Sequence, residues 1–223
     1  MRISSRGFWV RYSTSLLFAA LACGCAVFGL IGHAMPDPTV DARYKSLAKQ
    51  KVAVMVWTDR AMSYDWPTLQ LDLSRGIQSR LQELAQKKDH PKELEGTRLV
   101  AAESVVRYQQ DHPESDVEAV TDVAPRLTVD RLIYIEVQQF STRPEESLEL
   151  YRGSLTANVK VIEIANGKAK QVFEDPSVRV VWPPKGPEEG SPGLGDADTY
   201  ERTLGAFTTE VVNEFVPHVQ PRE

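Results

Sequence analysis

The residues of this chain best suited to covalent chemistry are its two cysteines, Cys23 and Cys25, because a thiol can be acylated, oxidised or bound to a metal. Both lie at the end of an apolar run over 16–22, which follows three arginines, the last of them Arg11. A basic start followed by an apolar segment is the pattern of an export signal. No cysteine follows Cys25, so the rest of the chain has no disulfide and no thiolate catalyst or metal ligand.

The segment around the two cysteines, Ala22-Cys23-Gly24-Cys25, resembles the lipobox of bacterial lipoproteins, in which small residues precede a cysteine that is acylated. It predicts a signal peptide over 1–25, with palmitate on Cys25 as the lipidation site and Cys23 as the alternative. A single membrane-spanning helix is the other anchor that this run allows, because a span needs about 20 residues. Either anchor predicts a body in the periplasm that is attached to a membrane, the outer membrane being favoured over the inner.

Other groups that could do chemistry do not occur in catalytic spacing. The four histidines have no His-Glu-x-x-His pattern, the paired acids Glu145-Glu146 and Glu188-Glu189 are adjacent rather than opposed, and no phosphate loop or nucleophile elbow is present. The sequence therefore predicts a non-catalytic protein without a metal site or cofactor. The alternative is a small hydrolase or metal-dependent enzyme whose site gathers distant residues such as Asp59, Asp65 and Glu103.

The charge balance limits the classes of partner that this chain can bind. The chain has 26 basic and 31 acidic residues, a net charge of −5, and the part that follows Cys25 is more acidic still because the first 25 residues contain arginines but no acid. An acidic body is repelled by nucleic acid and by an anionic lipid surface. Apart from the membrane that holds the anchor, the predicted partner is another protein or envelope component, with no nucleic acid.

The elements that must position any site follow from periodicity. Over 153–161 the odd residues are apolar and the even ones mostly polar, as in a strand with one buried face. Asn166-Gly167 then predicts a two-residue hairpin turn, because both residues tolerate positive φ. A return strand should follow and break at Asp175-Pro176. This predicts an antiparallel meander in the C-terminal half of the chain.

The first half of the chain predicts strands that alternate with helices. Residues 51–58 and 131–137 are apolar on both alternations, as in interior strands. Asp65 should be the N-cap of a long helix with a stripe of apolar residues from Leu69, and Asp198 should cap a last helix. We predict a tether over 26–47 and a single α/β (α+β) domain over 48–223, in which helices pack mainly on one face of a mixed sheet.

Candidate binding residues lie at strand ends and in the following loop. Three tryptophans could line one rim of the sheet or plug the edge of its core, and the loop over 183–195, rich in proline and glycine, is long for a compact domain. The candidates are Trp57, Trp66, Trp182, Pro183 and Pro184.

The order of these elements resembles the small α/β domains of bacterial envelope lipoproteins, namely the CsgG-like lipoproteins of curli secretion and the N-terminal domain of TolB. It is also similar to a group of uncharacterised bacterial lipoproteins. The resemblance implies the architecture, and it adds an alternative function, an accessory of secretion or outer-membrane assembly that oligomerises through a sheet edge. The residues that carry it are 52–57, the helix from Leu69, 127–137, 150–153, 159–168, 181–184 and 214–218.

Overall fold

The structure is a computed structural model that describes residues 38–144, 149–187, 189–193 and 195–220. One unit runs from Asp41 to His218, and the described residues on either side, 38–40 and 219–220, belong to a second, smaller unit. In the smaller unit the backbone N–H of Gln220 donates to the carbonyl of Pro38 at 3.0 Å. The predicted signal peptide, its lipidation site and the tether up to residue 37 lie outside the described residues.

Helices and strands alternate first, and three long strands and a final helix follow. The strands are β1 (Thr39–Val40), β2 (Lys51–Trp57), β3 (Arg98–Leu99), β4 (Arg131–Ser141), β5 (Gly153–Ala165), β6 (Lys168–Trp182) and β7 (His218–Val219). The helices are α1 (Arg60–Asp65), α2 (Leu69–Gln86), α3 (Ala102–Asp111), α4 (Val120–Val123) and α5 (Asp196–Asn213). Short 3₁₀ turns lie at Lys92–Leu94, Pro113–Asp116 and Ala124–Leu127. β1 and β7 form a two-stranded sheet.

The main sheet is mixed. Its strand order in the described part of the chain is β3-β2-β4-β5-β6. β3, β2 and β4 run parallel, whereas β4, β5 and β6 form an antiparallel meander. Ile133 of β4 lies opposite Val54 of β2 on one side and Val161 of β5 on the other. The mixed α/β class and the C-terminal meander predicted from the sequence are confirmed.

The two long helices cover one face of the sheet. Leu73 and Ile77 of α2 and Phe207 of α5 are fully buried there against the apolar residues of all the long strands. The short helices α3 and α4 cover part of the other face, where Val105 and Val123 pack beside Leu132. The helices therefore sit mainly on one face, and they leave part of the second face to polar side chains.

Local turn chemistry explains how β5 joins β6. Asn166 and Gly167 have φ values of 52° and 72°, as a type I′ turn requires, and Ala165 pairs directly with Lys168. The predicted hairpin is confirmed. The predicted break at Asp175-Pro176 is wrong, because β6 runs through it. Proline is tolerated there since β6 is an edge strand and its register with β5 shifts between Asp175 and Val178.

The start of the long helix also differs from the prediction. Asp65 is the last residue of α1, a short helix that the sequence analysis did not predict, and it does not cap α2. The aspartate that caps a helix here is Asp59. It caps α1, and its carboxylate accepts from the backbone N–H of Met62 at 2.7 Å. Gly195 rather than Asp198 precedes α5, and Asp198 lies in its first turn. Among the described residues, no helix has the length and apolar character to cross a membrane.

Candidate functional site

The structure places the predicted tryptophans in different surroundings. Trp66, between α1 and α2, packs edge-on against Phe140 of β4 with ring centroids 4.9 Å apart, and it stacks on Tyr200 of α5 at 5.6 Å. The Tyr200 hydroxyl in turn donates to Asp72 at 2.9 Å. These contacts give Trp66 a packing role at the margin of the core.

Trp182 and Trp57 lie at the ends of β6 and β2. The guanidinium carbon of Arg202 lies 5.2 Å from the centre of the Trp182 ring, a cation–π distance. Trp57 is half-buried and no ring contact joins it to either of the other two tryptophans. Pro183 is half-buried and Pro184 is exposed at the start of the following loop. Binding by any of these residues stays a prediction.

The carboxylates proposed for a hidden catalytic site do not come together. Asp59 caps α1, Asp65 is exposed at the end of that helix, and Glu103 pairs with Arg75 at 2.9 Å. No hydrogen bond or ion pair joins the three, and within the described residues no group of three or more histidines, cysteines and acids could hold a metal ion. The arrangement gives the enzyme alternative no support.

A different site emerges on the polar part of the second sheet face. Here register brings side chains of three strands into rows: Gln139 of β4 lies opposite Thr156 of β5, which lies opposite Arg179 of β6. The next row places Ser141 and Ser154 side by side, with Val181 beyond. Directly opposite Cβ atoms lie about 5 Å apart. The two rows form the floor of a cavity of about 420 Å³.

The walls of this cavity come from the ends of β4 and the approach to β5. We call it the arginine pocket, lined by Gln139, Ser141, Arg143, Pro144, Arg152, Ser154, Arg179 and Val181. Three guanidinium groups therefore surround a floor of hydroxyl and amide groups. Among the residues that the structure describes, no carboxylate belongs to this lining.

Arg143 and Arg152 are held in place by the protein. The guanidinium of Arg143 forms a fork with the carboxylate of Asp196, its Nη2 donates to the Tyr151 hydroxyl at 3.2 Å, and it lies 4.8 Å from the centre of that ring. Nη1 of Arg152 donates to the carbonyl of Pro187 at 2.8 Å. These contacts orient both side chains. Only Arg143 has a carboxylate partner, Asp196, which neutralises its positive charge.

Arg179 differs from Lys160 and Glu174, two charged residues of the same sheet face. Lys160 pairs with Glu136 at 3.1 Å, and Glu174 accepts from Asn158 at 2.9 Å. Arg179 is exposed, and among the described residues it has neither a hydrogen-bond acceptor nor an ion-pair partner. Lys160 and Glu174 therefore each have a side-chain partner, whereas the cation of Arg179 has none among the described residues.

We expect the stability that the Asp196 carboxylate contributes to depend on pH, and the Asp196→Asn variant measures that contribution. Arg143 first, and then the Thr142 hydroxyl at 2.8 Å, hold the pKa of Asp196 below its usual range. With a lowered folded pKa, the stabilisation is present above the unfolded value of about 3.9 and is lost as pH falls through the folded pKa.

The size of that effect is limited by solvent. The side chain of Asp196 is 47% exposed, so the substitution should cost less than about 1 kcal/mol at neutral pH. Urea unfolding of both proteins at about pH 7 and about pH 3 measures the difference, which should shrink at the lower pH. A difference that is equal at both pH values would contradict this assignment.

A second cavity, of about 450 Å³, lies between α2 and α5. The Tyr200 hydroxyl donates to Asp72 across it. The helices approach closely at its floor, where a Cβ on Gly76 would lie 3.0 Å from Oγ1 of Thr208. We interpret this cavity as a consequence of helix packing around small residues.

Comparisons with known proteins do not assign a family. No family model and no curated protein matches the chain. Similar solved structures include the hypothetical protein CT253 from Chlamydia trachomatis, at 17% identity over 75% of this chain and 98% of that one, with a TM-score of 0.41. Lipoprotein GNA1162 from Neisseria meningitidis is 16% identical over 74% and 94%, with a TM-score of 0.40.

The PelC dodecamer from Paraburkholderia phytofirmans is a further similar structure, at 6% identity over 80% of this chain and 96% of that one, with a TM-score of 0.42. Similarity at this level establishes neither a family nor a function for the chain. The resemblance to CsgG-like and TolB domains stays a prediction.

The arginine pocket is not visible in the sequence. Its members are scattered between residues 139 and 181, and they meet only because of strand register, which a single sequence does not fix. The one local signal was Arg179, an arginine inside an alternating strand whose neighbours Val178 and Val180 face the core.

Proposed function

We propose that this chain is an exported, membrane-anchored lipoprotein whose α/β body binds another envelope component without catalysing a reaction. The observation that carries the binding role is the arginine pocket. This cavity of about 420 Å³ is lined by three arginines and, among the described residues, by no carboxylate. The N-terminal pattern of arginines, apolar run and cysteines supports the anchor.

The chemistry of the pocket favours binding over catalysis. Arginine stays protonated at physiological pH, so it does not exchange protons as a general acid or base. A serine nucleophile needs an adjacent base, and the described residues place no histidine or carboxylate in hydrogen bond with Ser154 or with Ser141. Ser141 instead donates to the carbonyl of Arg143 at 2.6 Å.

Two alternatives have less support. Oligomerisation through a sheet edge would use β6, whose outer side is unpaired in the main sheet. That edge carries Pro176, a register shift and the exposed lysines Lys168 and Lys170, which are features that discourage strand pairing. For the enzyme alternative, the described residues gather no set of carboxylates from Asp59, Asp65 and Glu103.

Replacing Cys25 tests the anchor. In cells given a labelled fatty acid, the parent chain should incorporate the label, and Cys25→Ala should abolish incorporation because the thiol that is acylated is gone. Cys23→Ala is the matched control, since it removes a neighbouring thiol and should leave labelling intact. Loss of label only in the Cys23 variant would move the site to Cys23, and unchanged label in both variants would contradict lipidation.

Cross-linking tests the binding role. A photo-reactive residue in place of Gln139, which is exposed in the pocket lining, should capture an envelope component in intact cells. The control position is Tyr64, which is 87% exposed on α1, a helix that packs through Met62 on the opposite face of the sheet. The same products from both positions would count against a specific surface at the pocket.

A further inference from the structure

We propose that the arginine pocket binds a phosphate monoester, such as the phosphorylated end of a sugar or a glycerol headgroup. This inference rests on the proposed function, since it names the ligand of the same site. It does not depend on how the chain is anchored, because every residue involved belongs to the described body.

The charge of the pocket matches that of this group. Asp196 neutralises Arg143, whereas Arg152 and Arg179 have no carboxylate partner among the described residues. Two positive charges therefore remain around one cavity. A phosphate monoester carries about −1.5 to −2 charges at pH 7, which two guanidinium groups balance, whereas a phosphodiester or a single carboxylate carries one charge and is balanced by one of them.

The directions of the donors also suit a tetrahedral anion. Arg152 approaches from the wall that leads into β5, Arg179 stands on β6, and the Ser154 hydroxyl lies on the floor between them. A planar carboxylate is satisfied by one guanidinium fork. A phosphoryl group presents oxygens in three directions, so it can accept from both forks and from the hydroxyl at once.

The acidic net charge of the chain does not oppose this site. Charges more than about 8 Å apart are largely screened at physiological salt, so local donors decide the affinity. No carboxylate lines the cavity within the described residues, and the one that contacts its wall, Asp196, is paired with Arg143 and Thr142. An oxyanion is the class of ligand that these groups recognise.

The experiment is calorimetric titration of the full chain in detergent with glucose 1-phosphate at neutral pH and physiological salt. Arg179→Gln should weaken binding at least about tenfold, as the loss of a charge-assisted fork predicts. Arg179→Lys keeps the charge but not the fork and should fall between the two. Because Arg179 is exposed and has no partner among the described residues, these variants should unfold at the same urea concentration as the parent chain.

Arg107→Gln is the matched control. Arg107 is an exposed arginine on α3 outside the pocket, and its loss should change affinity less than about twofold. An equal loss in the Arg107 and Arg179 variants would mean attraction to net charge alone and would overturn the proposal. No binding of glucose 1-phosphate to the parent chain would also overturn it, as would equally tight binding of glycerophosphocholine, a phosphodiester.

Inorganic phosphate separates the two sources of the phosphoryl group. Affinity equal to that of glucose 1-phosphate supports a site for the phosphoryl group alone, and tighter binding of the sugar phosphate supports a carried group. The anchor is tested separately by fatty-acid labelling. Labelling of Cys25 without phosphate binding would leave the lipoprotein proposal standing, and phosphate binding without labelling would leave the pocket standing.

Discussion

We expect the Gly153→Ala variant to be less stable than the parent chain by about 3 kcal/mol. Gly153 begins β5 and is buried under α5. A Cβ at this position would lie 1.7 Å from Oγ1 of Thr203, 3.0 Å from its Cβ and 3.2 Å from Cγ2 of Thr199. The Thr203 hydroxyl is itself committed, since it donates to the carbonyl of Thr199 at 2.6 Å. Relief of the clash therefore requires helix and strand to separate.

Urea unfolding, followed by tryptophan fluorescence, measures this loss. Gly205→Ala is the matched control, because Gly205 lies in α5 and a Cβ there meets no heavy atom within 4 Å. Alanine in a helix interior is favoured over glycine by about 0.5–1 kcal/mol, so this variant should gain stability. Glycine-to-alanine substitution should thus lower the stability at Gly153, where the added Cβ meets α5, and raise it at Gly205, where the added Cβ meets nothing.

A double variant identifies the cause. Adding Thr203→Ala to Gly153→Ala removes the hydroxyl oxygen but leaves the contacts with the Cβ of residue 203 at 3.0 Å and with Cγ2 of Thr199 at 3.2 Å. It should restore part of the lost stability, beyond the sum of the two single effects. A Gly153→Ala protein as stable as the parent chain would show that α5 does not press on β5 as the structure has it.

The parts of the fold that the sequence could predict are those governed by local rules. Residues 153–161 alternate because one face of β5 is buried, and Asn166-Gly167 forms its turn because both residues reach positive φ. The buried stripe of α2 from Leu69 follows from its helical spacing in the same way. These features need only neighbouring residues, so a single sequence contains them.

The wrong predictions have a common physical origin. Pro176 looked like a strand break, but at the edge of a sheet, with a shift of register, the missing N–H of proline leaves no pairing group unsatisfied. Asp65 looked like a helix cap, but Asp59 starts an earlier short helix. In both cases the position of the residue in the tertiary structure decided between two local outcomes.

The arginine pocket could not be predicted from the sequence, because its residues are brought together only by the packing of strands and helices. Arg152 and Arg179 are distant in sequence, and Gly153, which begins β5 between Arg152 and Ser154, has no room for a side chain because of its contact with α5. Ser154 lines the pocket because successive residues of a strand point to opposite faces, and Gly153 faces α5. The site therefore depends on packing, which explains why motif spacing did not reveal it.

The second large effect is expected at Phe207, the centre of the stripe that α5 buries. Its side chain is 0% exposed, packed among the residues of α2 and the sheet. Replacement by alanine removes the ring and leaves a cavity, which typically costs 3–5 kcal/mol for a buried phenylalanine, so we expect a loss of about 4 kcal/mol. Urea unfolding should show a lower midpoint with an unchanged slope, since the folded state is weakened rather than rearranged.

Two further variants separate a cavity effect from a general sensitivity of the chain. Phe207→Leu keeps most of the volume and should cost less than about 1.5 kcal/mol. Tyr64→Ala truncates an aromatic side chain that is 87% exposed and should change stability by no more than about 0.5 kcal/mol. If Phe207→Ala costs as little as Tyr64→Ala, α5 does not close the core against the sheet, and the pressure on Gly153 inferred above would lose its basis as well.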